Sequence, residues 1–578
     1  PVHLDKNNQI PLSTNGFEVT SEGTTISRGD RATPTLRSTN GVCVTMEHFW
    51  QNFPSSIEIT KNSVRVGLFP SLTGSPYELQ GGEQKTHTTW LNFSDQSGRL
   101  NWVHTPAIAR PDGAWLAECS ALPTFIINVK NDPVKELIKT GLEHEKNFFA
   151  KRETIDEYGW RNFGDLYADH ETWKQTDNKL FPSHYNNQYD PIYGFLRQFL
   201  LTGDPHWYEL ADDLAKHVKD IDIYHTEEDK AEYNRGLFWH TDHYLKAYTA
   251  THRTFSKHQE ADLEEDEQLN GGGPGGQHGY ASGLALHYLL TGDETSKQTV
   301  LDLAEWITCV YDGTDTCLEL LLSIKNRHLD GLKDHISGKY PFDRGTGNLV
   351  ITLLDSHQVT QNPEYIQRVE HIIRNTVHPA DNIEEHNLSN IEACWYYIVF
   401  LQAICRYLDV KESMGSFDNE FYYARDSLLH YADWMLLNEY PYLEKPERLE
   451  FVNDTWTAQD LRKTHVLSAA FYYSPDNKKT YLDKASDIQE YVITALSASE
   501  QLSYTRIQVL LMQNHGPMEY YAQKQRTSDF AEKRNNWPQA DYQHPQGLLA
   551  GVSKALIKRL CKLSIGNEIN WLRKRIGK

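Results

Sequence analysis

Cysteine and methionine are scarce in this chain, 7 and 5 among 578 residues. Seven thiols scattered over such a length form no disulfide framework. Cys394 and Cys405 sit in apolar helical text and read as buried thiols. Cys309 and Cys317 flank a short Asp/Gly/Thr loop and form the pair that an oxidising compartment would join. Positive charge is short too: 57 Lys and Arg stand against 79 Asp and Glu, a formal net charge of −22. With no basic stripe to offset it, nucleic acid is not an expected partner. An anionic sugar is not excluded, because a local cluster of Arg, Lys and His binds an anion inside a negative protein. Long apolar runs are absent, so no membrane span is expected. The chain opens on Pro1 without a signal peptide, which reads as a mature form trimmed after secretion, secreted or periplasmic.

What the chain does hold is aromatic surface: 14 Trp, 32 Tyr and 21 Phe. Many of these rings belong to a core, and flat faces also stack on sugar rings. The length points to more than one domain. Residues 1–142 read as β. The runs Gly41–Thr45, Ser56–Thr60 and Ser63–Gly67 alternate apolar and polar residues, Gly81–His87 is a turn feeding a strand over Thr88–Phe93, and Phe125–Val129 reads as a buried strand. A β-sandwich or strongly curved sheet is expected there.

From residue 143 helical periodicity takes over, with a degenerate repeat. Gln198–Asp204 precedes a helix over Trp207–Val218, and His287–Asp293 precedes one over Ser296–Val310. Leu353–Val359 with Pro363–Ile373, and Phe471–Asn477 with Lys478–Leu496, are weaker copies. In Leu-Thr-Gly-Asp the Gly suits a left-handed helix stop and the Asp an N-cap. Such hairpins bury little alone and must stack, five to seven pairs or so over residues 143–578. The stack either closes as an (α/α) toroid or stays open as a solenoid, and the aromatic-rich loops at the helix starts favour the toroid; the expected fold class is mixed and multidomain, an N-terminal β-sandwich-like domain followed by a large (α/α) toroid. Residues 258–270 read as an acidic surface loop and Trp571–Lys578 as a basic surface helix.

Chemistry-bearing groups concentrate in three blocks that each open into an apolar helical run: Ser183–Asp190, Arg235–Tyr244 and Gly275–Tyr280. Together with Tyr77–His87 and Trp160–Glu171, these blocks resemble the exo-rhamnogalacturonan-lyase-like group and the ulvan lyases close to it. The resemblance implies a β-domain ahead of an (α/α) toroid and a polysaccharide lyase acting by β-elimination on a uronate-containing acidic polysaccharide, ulvan first. It also implies an Asn/His pair on one hairpin facing a Tyr on the next.

Roles follow from the chemistry. The proton at C5 of a uronate is not acidic beside a charged carboxylate, so a donor must neutralise that carboxylate. A base then removes the proton and an acid supports the leaving oxygen at C4. Asn187, with Gln188 beside it, is assigned to neutralise the carboxylate, and Arg235 to bind it or a sulfate. His184 or His240 is the base, Tyr244 the base or acid, and His278 and Tyr280 complete the site. Trp239 offers a stacking face, and His243, Gln277, Arg344 and Trp456 are substrate-binding candidates. The bland alternative for any one of these is a satisfied structural hydrogen bond. No cofactor is required. A bound metal ion is left open by Asp169–Glu171 and by His240 with His243, which share a helix face. The rivals are rhamnogalacturonan lyase action, a glycoside hydrolase on the same toroid using two of Asp169, Glu171, Asp190 and Asp242, and a non-catalytic carbohydrate-binding surface.

Overall fold

The computed structural model describes residues 16–71, 79, 81–93, 100–119, 122–127, 129–170, 183–238, 274–327, 331–526, 530, 534, 536–539, 542 and 548–576. Antiparallel strands come first. β1 (Phe17–Ser21) pairs with β2 (Thr24–Gly29) in an exposed hairpin. β3 (Thr35–Arg37), β4 (Cys43–Met46), β5 (Ser56–Ile59), β6 (Val64–Gly67) and β7 (Thr89–Asn92) follow, arranged as a β3-β4-β7 sheet and a β5–β6 hairpin. The alternating runs read from the sequence are these strands, and Val44 and Met46 are fully buried on β4.

Two expectations for this region need correction. Strand is a minority there, in three small sheets with strands of three to six residues. Phe125–Ile127 is not a strand: the buried Arg197 guanidinium donates to the carbonyls of Pro123 at 2.9 Å and Thr124 at 3.1 Å, taking the acceptors just before the run, and Phe125 packs into the helical core. Helix also begins early, with α1 (Gly113–Glu118), α2 (Pro133–Glu143) and α3 (Phe148–Ile155).

Helical hairpins dominate thereafter. α4 (Pro191–Thr202) turns into α5 (Pro205–His217) and α6 (Ser282–Thr291) into α7 (Glu294–Asp312). Gly203 and Gly292 sit at φ 75° and 72°, and Asp204 and Asp293 accept from the N–H of His206 and Thr295, as the Gly-Asp reading requires. After α8 (Cys317–Asn326) come α9 (Arg344–Thr360) with α10 (Pro363–Arg374), the short α11 (Ile391–Cys394), α12 (Tyr397–Ser413) with α13 (Asn419–Asn438), α14 (Thr455–Gln459), and α15 (Leu461–Tyr473) with α16 (Lys479–Ser497). The chain ends with α17 (Thr505–Asn514), α18 (Pro517–Gln523), α19 (Leu548–Leu560) and α20 (Ile565–Ile576).

Contacts between the first helices of these hairpins run α4 to α6, α6 to α9, α9 to α12, α12 to α15, α15 to α17, and α17 back to α4. Their partners α5, α7, α10, α13 and α16 pack behind them, and α2 packs on α16 and α17. The large apolar core, from Leu116 to Phe530, is built from these helices and the loops between them. Among the described residues no strand follows β7, apart from the isolated bridges Tyr167–His184 and Ile223–Leu237. Cys309 and Cys317 are both free thiols.

Candidate functional site

The segment before α4 is held by backbone strain and by its neighbours. Asn186, Tyr189 and Asp190 all have left-handed φ, 53°, 59° and 57°; such non-glycine residues cost about 1–3 kcal/mol each and persist only where the surroundings fix them. Here they are fixed. Tyr185 N donates to Leu166 O at 3.0 Å, Asn186 N to Asp165 Oδ1 at 2.8 Å, and Asn186 Nδ2 to the Phe238 carbonyl. Asp190 caps α4 by accepting from Tyr193 N, and its other oxygen accepts from Gly283 N at 2.9 Å, tying the starts of α4 and α6 together. Burial raises the Asp190 carboxyl to about 7, against the pull of that Gly283 N–H.

A cavity opens where the starts of the inner helices meet. Tyr189, Asp190, Tyr280, Arg344, Gln402 and Arg462 are among its lining residues. Arg462 is buried, yet its guanidinium meets only neutral acceptors: Nε donates to Gln459 Oε1 at 2.6 Å, one Nη to Gln402 Oε1 at 2.8 Å and the other to Gln513 Oε1 at 2.7 Å. Among the described residues no carboxylate forms an ion pair with it. Burial lowers its pKa, opposed by Tyr189, whose ring lies 5.4 Å from the guanidinium carbon, and by Tyr280. Arg344 donates to Gln277 Oε1 at 3.4 Å and stacks 5.5 Å from the Trp395 ring, also without an ion pair among the described residues. Between them sits Tyr280, whose hydroxyl lies 3.3 Å from His278 Nδ1. Burial raises the Tyr280 phenol well above its ordinary value, while Arg344 and Arg462 pull the other way. His465, also on the lining, is lowered to about 3 by burial and by two arginines, so it is neutral.

The structure thus brings Tyr280, His278, Gln277 and Arg344 together. Trp456 joins the same neighbourhood through Trp395, ring centroids 6.1 Å apart, and both indoles are half-buried. Gln277 is fixed by its amide to Asp343 Oδ2 at 3.0 Å, and its carbonyl accepts from Asn348. Gln188 accepts from Arg506 at 3.2 Å. Asn187 is buried, and among the described residues neither side-chain atom has a hydrogen-bond partner of normal geometry, although its amide stabilises the Asp190 carboxylate. Arg235 is placed differently from its assigned role: it is held by Glu227, Asp302 and Glu305, the latter two on the outer helix α7, and so its charge is already neutralised. Trp239, His240, His243 and Tyr244 lie outside the described residues.

His184 is not among the residues that line the cavity. Its Nδ1 lies 2.7 Å from Glu157 Oε1 and 3.9 Å from Asp165 Oδ2. His217 Nε2 is 3.7 Å from the same Asp165 oxygen and 3.4 Å from Asp222 Oδ1. Burial alone would lower His184, but Glu157, and Asp165 with it, raise it to about 9; burial lifts Asp165 to about 7. The other expected donors behave as structure. Asp169 pairs with Lys151 at 2.9 Å and accepts from Thr505 N at the start of α17, and His170 meets Tyr185 edge-on. Glu171 and Asp242 lie outside the described residues.

Sequence reasoning did not single out Tyr189, Glu157, His217, Asp222 or Arg462. The signal for Arg462 was its place at the start of a hairpin equivalent to those that carry Tyr280 and Arg344. Compared with known proteins, the chain matches no family model and no curated sequence.

Proposed function

We propose that the protein is a polysaccharide lyase that cleaves a uronate-containing acidic polysaccharide, ulvan first, by β-elimination in this cavity. The observation that carries the reading is the buried Arg462, a cation solvated by three glutamine oxygens and, among the described residues, by no carboxylate, beside the Tyr280 phenol. A buried cation left without an anion is costly, and the uronate carboxylate supplies the missing charge. Arg344, at the first turn of α9, adds a second guanidinium within reach of a neighbouring carboxylate or sulfate. This pair takes the neutralising role assigned earlier to Asn187 and Arg235.

The reaction then needs one proton taken and one given. With the carboxylate held, the C5 proton becomes acidic and passes to the imidazole of His278, the electron pair forms the C4–C5 double bond, and the C4–O4 bond breaks. Tyr280, kept protonated by burial, donates to O4, and its contact with His278 returns the proton between turnovers. Trp395 and Trp456 give stacking faces at one side. The hydrolase alternative is weakened because Asp169 and Asp190, its described carboxylates, serve as a lysine partner and a helix cap.

The architecture that accompanies this reading is a strand-bearing domain over residues 1–142 and an (α/α) toroid over 143–578. It is supported by the cycle of contacts from α4 through α17 and back. Incubation with ulvan, rhamnogalacturonan and alginate, followed by ultraviolet absorbance, tests substrate class: ulvan gives the largest rise, and Arg462→Gln lowers its rate roughly 10²–10³-fold, the effect of losing one preorganised charge donor. A preference for alginate, or an Arg462→Gln variant with native rates, would remove the carboxylate from this pocket.

A further inference from the structure

We propose that Glu157, Asp165 and His184 form a buried site for one divalent transition-metal ion, with zinc the best match, and that His217 stands beside it against Asp165. The three donors come from separate places: the turn after α3, the segment ahead of the Tyr167–His184 bridge, and the loop before α4. Oxygen and nitrogen atoms of Glu157, Asp165 and His184 all lie within 4.8 Å of one another. His184 Nδ1 lies 2.7 Å from Glu157 Oε1 and 3.9 Å from Asp165 Oδ2, two separations that bracket the edge of a tetrahedral zinc site. That edge is about 3.3–3.4 Å when ligands lie about 2.0–2.1 Å from the ion.

The second observation concerns atoms left over. Glu157 Oε2 and Asp165 Oδ2 are buried with no hydrogen-bond partner among the described residues, on side chains that are fully enclosed. Asp165 Oδ2 is the atom shared by both imidazoles, at the centre of the cluster. Its other oxygen is committed, accepting from Leu166 N at 2.7 Å and Asn186 N at 2.8 Å, which aims the free one inward. An orphaned buried carboxylate oxygen carries a heavy desolvation penalty, and a cation removes it. Asp222, 3.4 Å from His217, adds a third carboxylate. An imidazole among carboxylates, with no thiolate, suits a borderline ion such as zinc rather than calcium or magnesium, which take oxygen ligands.

The ion would act as a strut. Through Asp165 it holds the backbone of Asn186, and through His184 the start of the strained loop that delivers Tyr189 and Asp190 to the cavity. The site is enclosed by protein and needs no substrate, so its occupancy stands or falls independently of the lyase reading. The test uses the full chain, loaded with Zn²⁺, dialysed into metal-free buffer and assayed for bound metal. About one zinc per chain is expected. Chelation should lower the melting temperature by several degrees and Zn²⁺ should restore it; Co²⁺ in its place should give the visible absorption of a low-coordinate site with nitrogen and oxygen ligands. The His184→Gln and Asp165→Asn variants should lose the ion. Negligible zinc after loading, with a melting temperature indifferent to chelator, would overturn the proposal in favour of a metal-free ion-pair network. Zinc retained by a folded double variant, His184→Gln with His217→Gln, would place the ion elsewhere and overturn it equally.

Discussion

Tyr280 and Arg462 were not equally visible before folding. Tyr280 stood in a block dense in acid/base groups, and composition alone marked it. Arg462 looked like one more charge at a helix start, because a sequence cannot show that its hydrogen-bond acceptors are three glutamine oxygens from α12, α14 and the C-terminal part of α17. His184 was read as a candidate base; the two-residue bridge to Tyr167 turns its side chain towards Glu157, and no local pattern fixes the direction of a side chain in an aperiodic loop. Asp190 provides a residue-scale test of burial. Its folded pKa near 7 lies above its unfolded value of about 3.9. A carboxyl raised in this way keeps its proton in the folded state while the unfolded chain releases it. Its contribution is therefore fully present below about pH 4 and is lost as pH rises through 7. Chemical denaturation of the wild type and Asp190→Asn between pH 4 and 8 should show a downward slope in the wild type that the variant flattens; parallel curves would mean that the carboxyl titrates as if exposed.

At the scale of the helical hairpin the sequence was most legible, because the signals are local. A glycine that stops one helix and an aspartate that caps the next lie side by side, and the α4–α5 and α6–α7 turns use them as read. Asn362, accepting from Glu364 N, does the same work between α9 and α10. The Phe125–Ile127 run was misread because a buried arginine, not a neighbouring strand, takes the preceding carbonyls, and that arginine is more than seventy positions away. The two glycine stops differ in a way that gives a matched prediction. A Cβ at Gly292 would meet nothing within 4 Å, whereas one at Gly203 would lie 1.9 Å from a terminal nitrogen of Arg110. Gly292→Ala should therefore lose only the left-handed backbone penalty, about 1–2 kcal/mol. Gly203→Ala should lose more, since the Arg110 side chain must also move aside. Urea midpoints of the two variants decide this, and equal losses would show that Arg110 yields without resistance.

At the scale of the whole molecule, local text runs out. The hairpins are written in the sequence, but the contact of α17 with α4 joins segments some three hundred positions apart and depends on which faces fit. That contact brings α4, α6, α9, α12 and α15 around one cavity, and it gathers Arg344, Arg462 and Tyr280 inside a chain whose net charge is −22. The local positive field against the global negative one is what a uronate would find. The measurement that tests this account most directly is the ultraviolet absorbance of ulvan digests, read against new reducing ends, for the wild type and Tyr280→Phe side by side. Elimination leaves a C4–C5 double bond conjugated with the carboxylate, so the wild-type absorbance should rise in step with the ends. The phenylalanine variant, folded but without the phenolic oxygen, should be slower by about 10²–10⁴-fold. Reducing ends without absorbance, or a folded Tyr280→Phe protein with unchanged turnover, would contradict it.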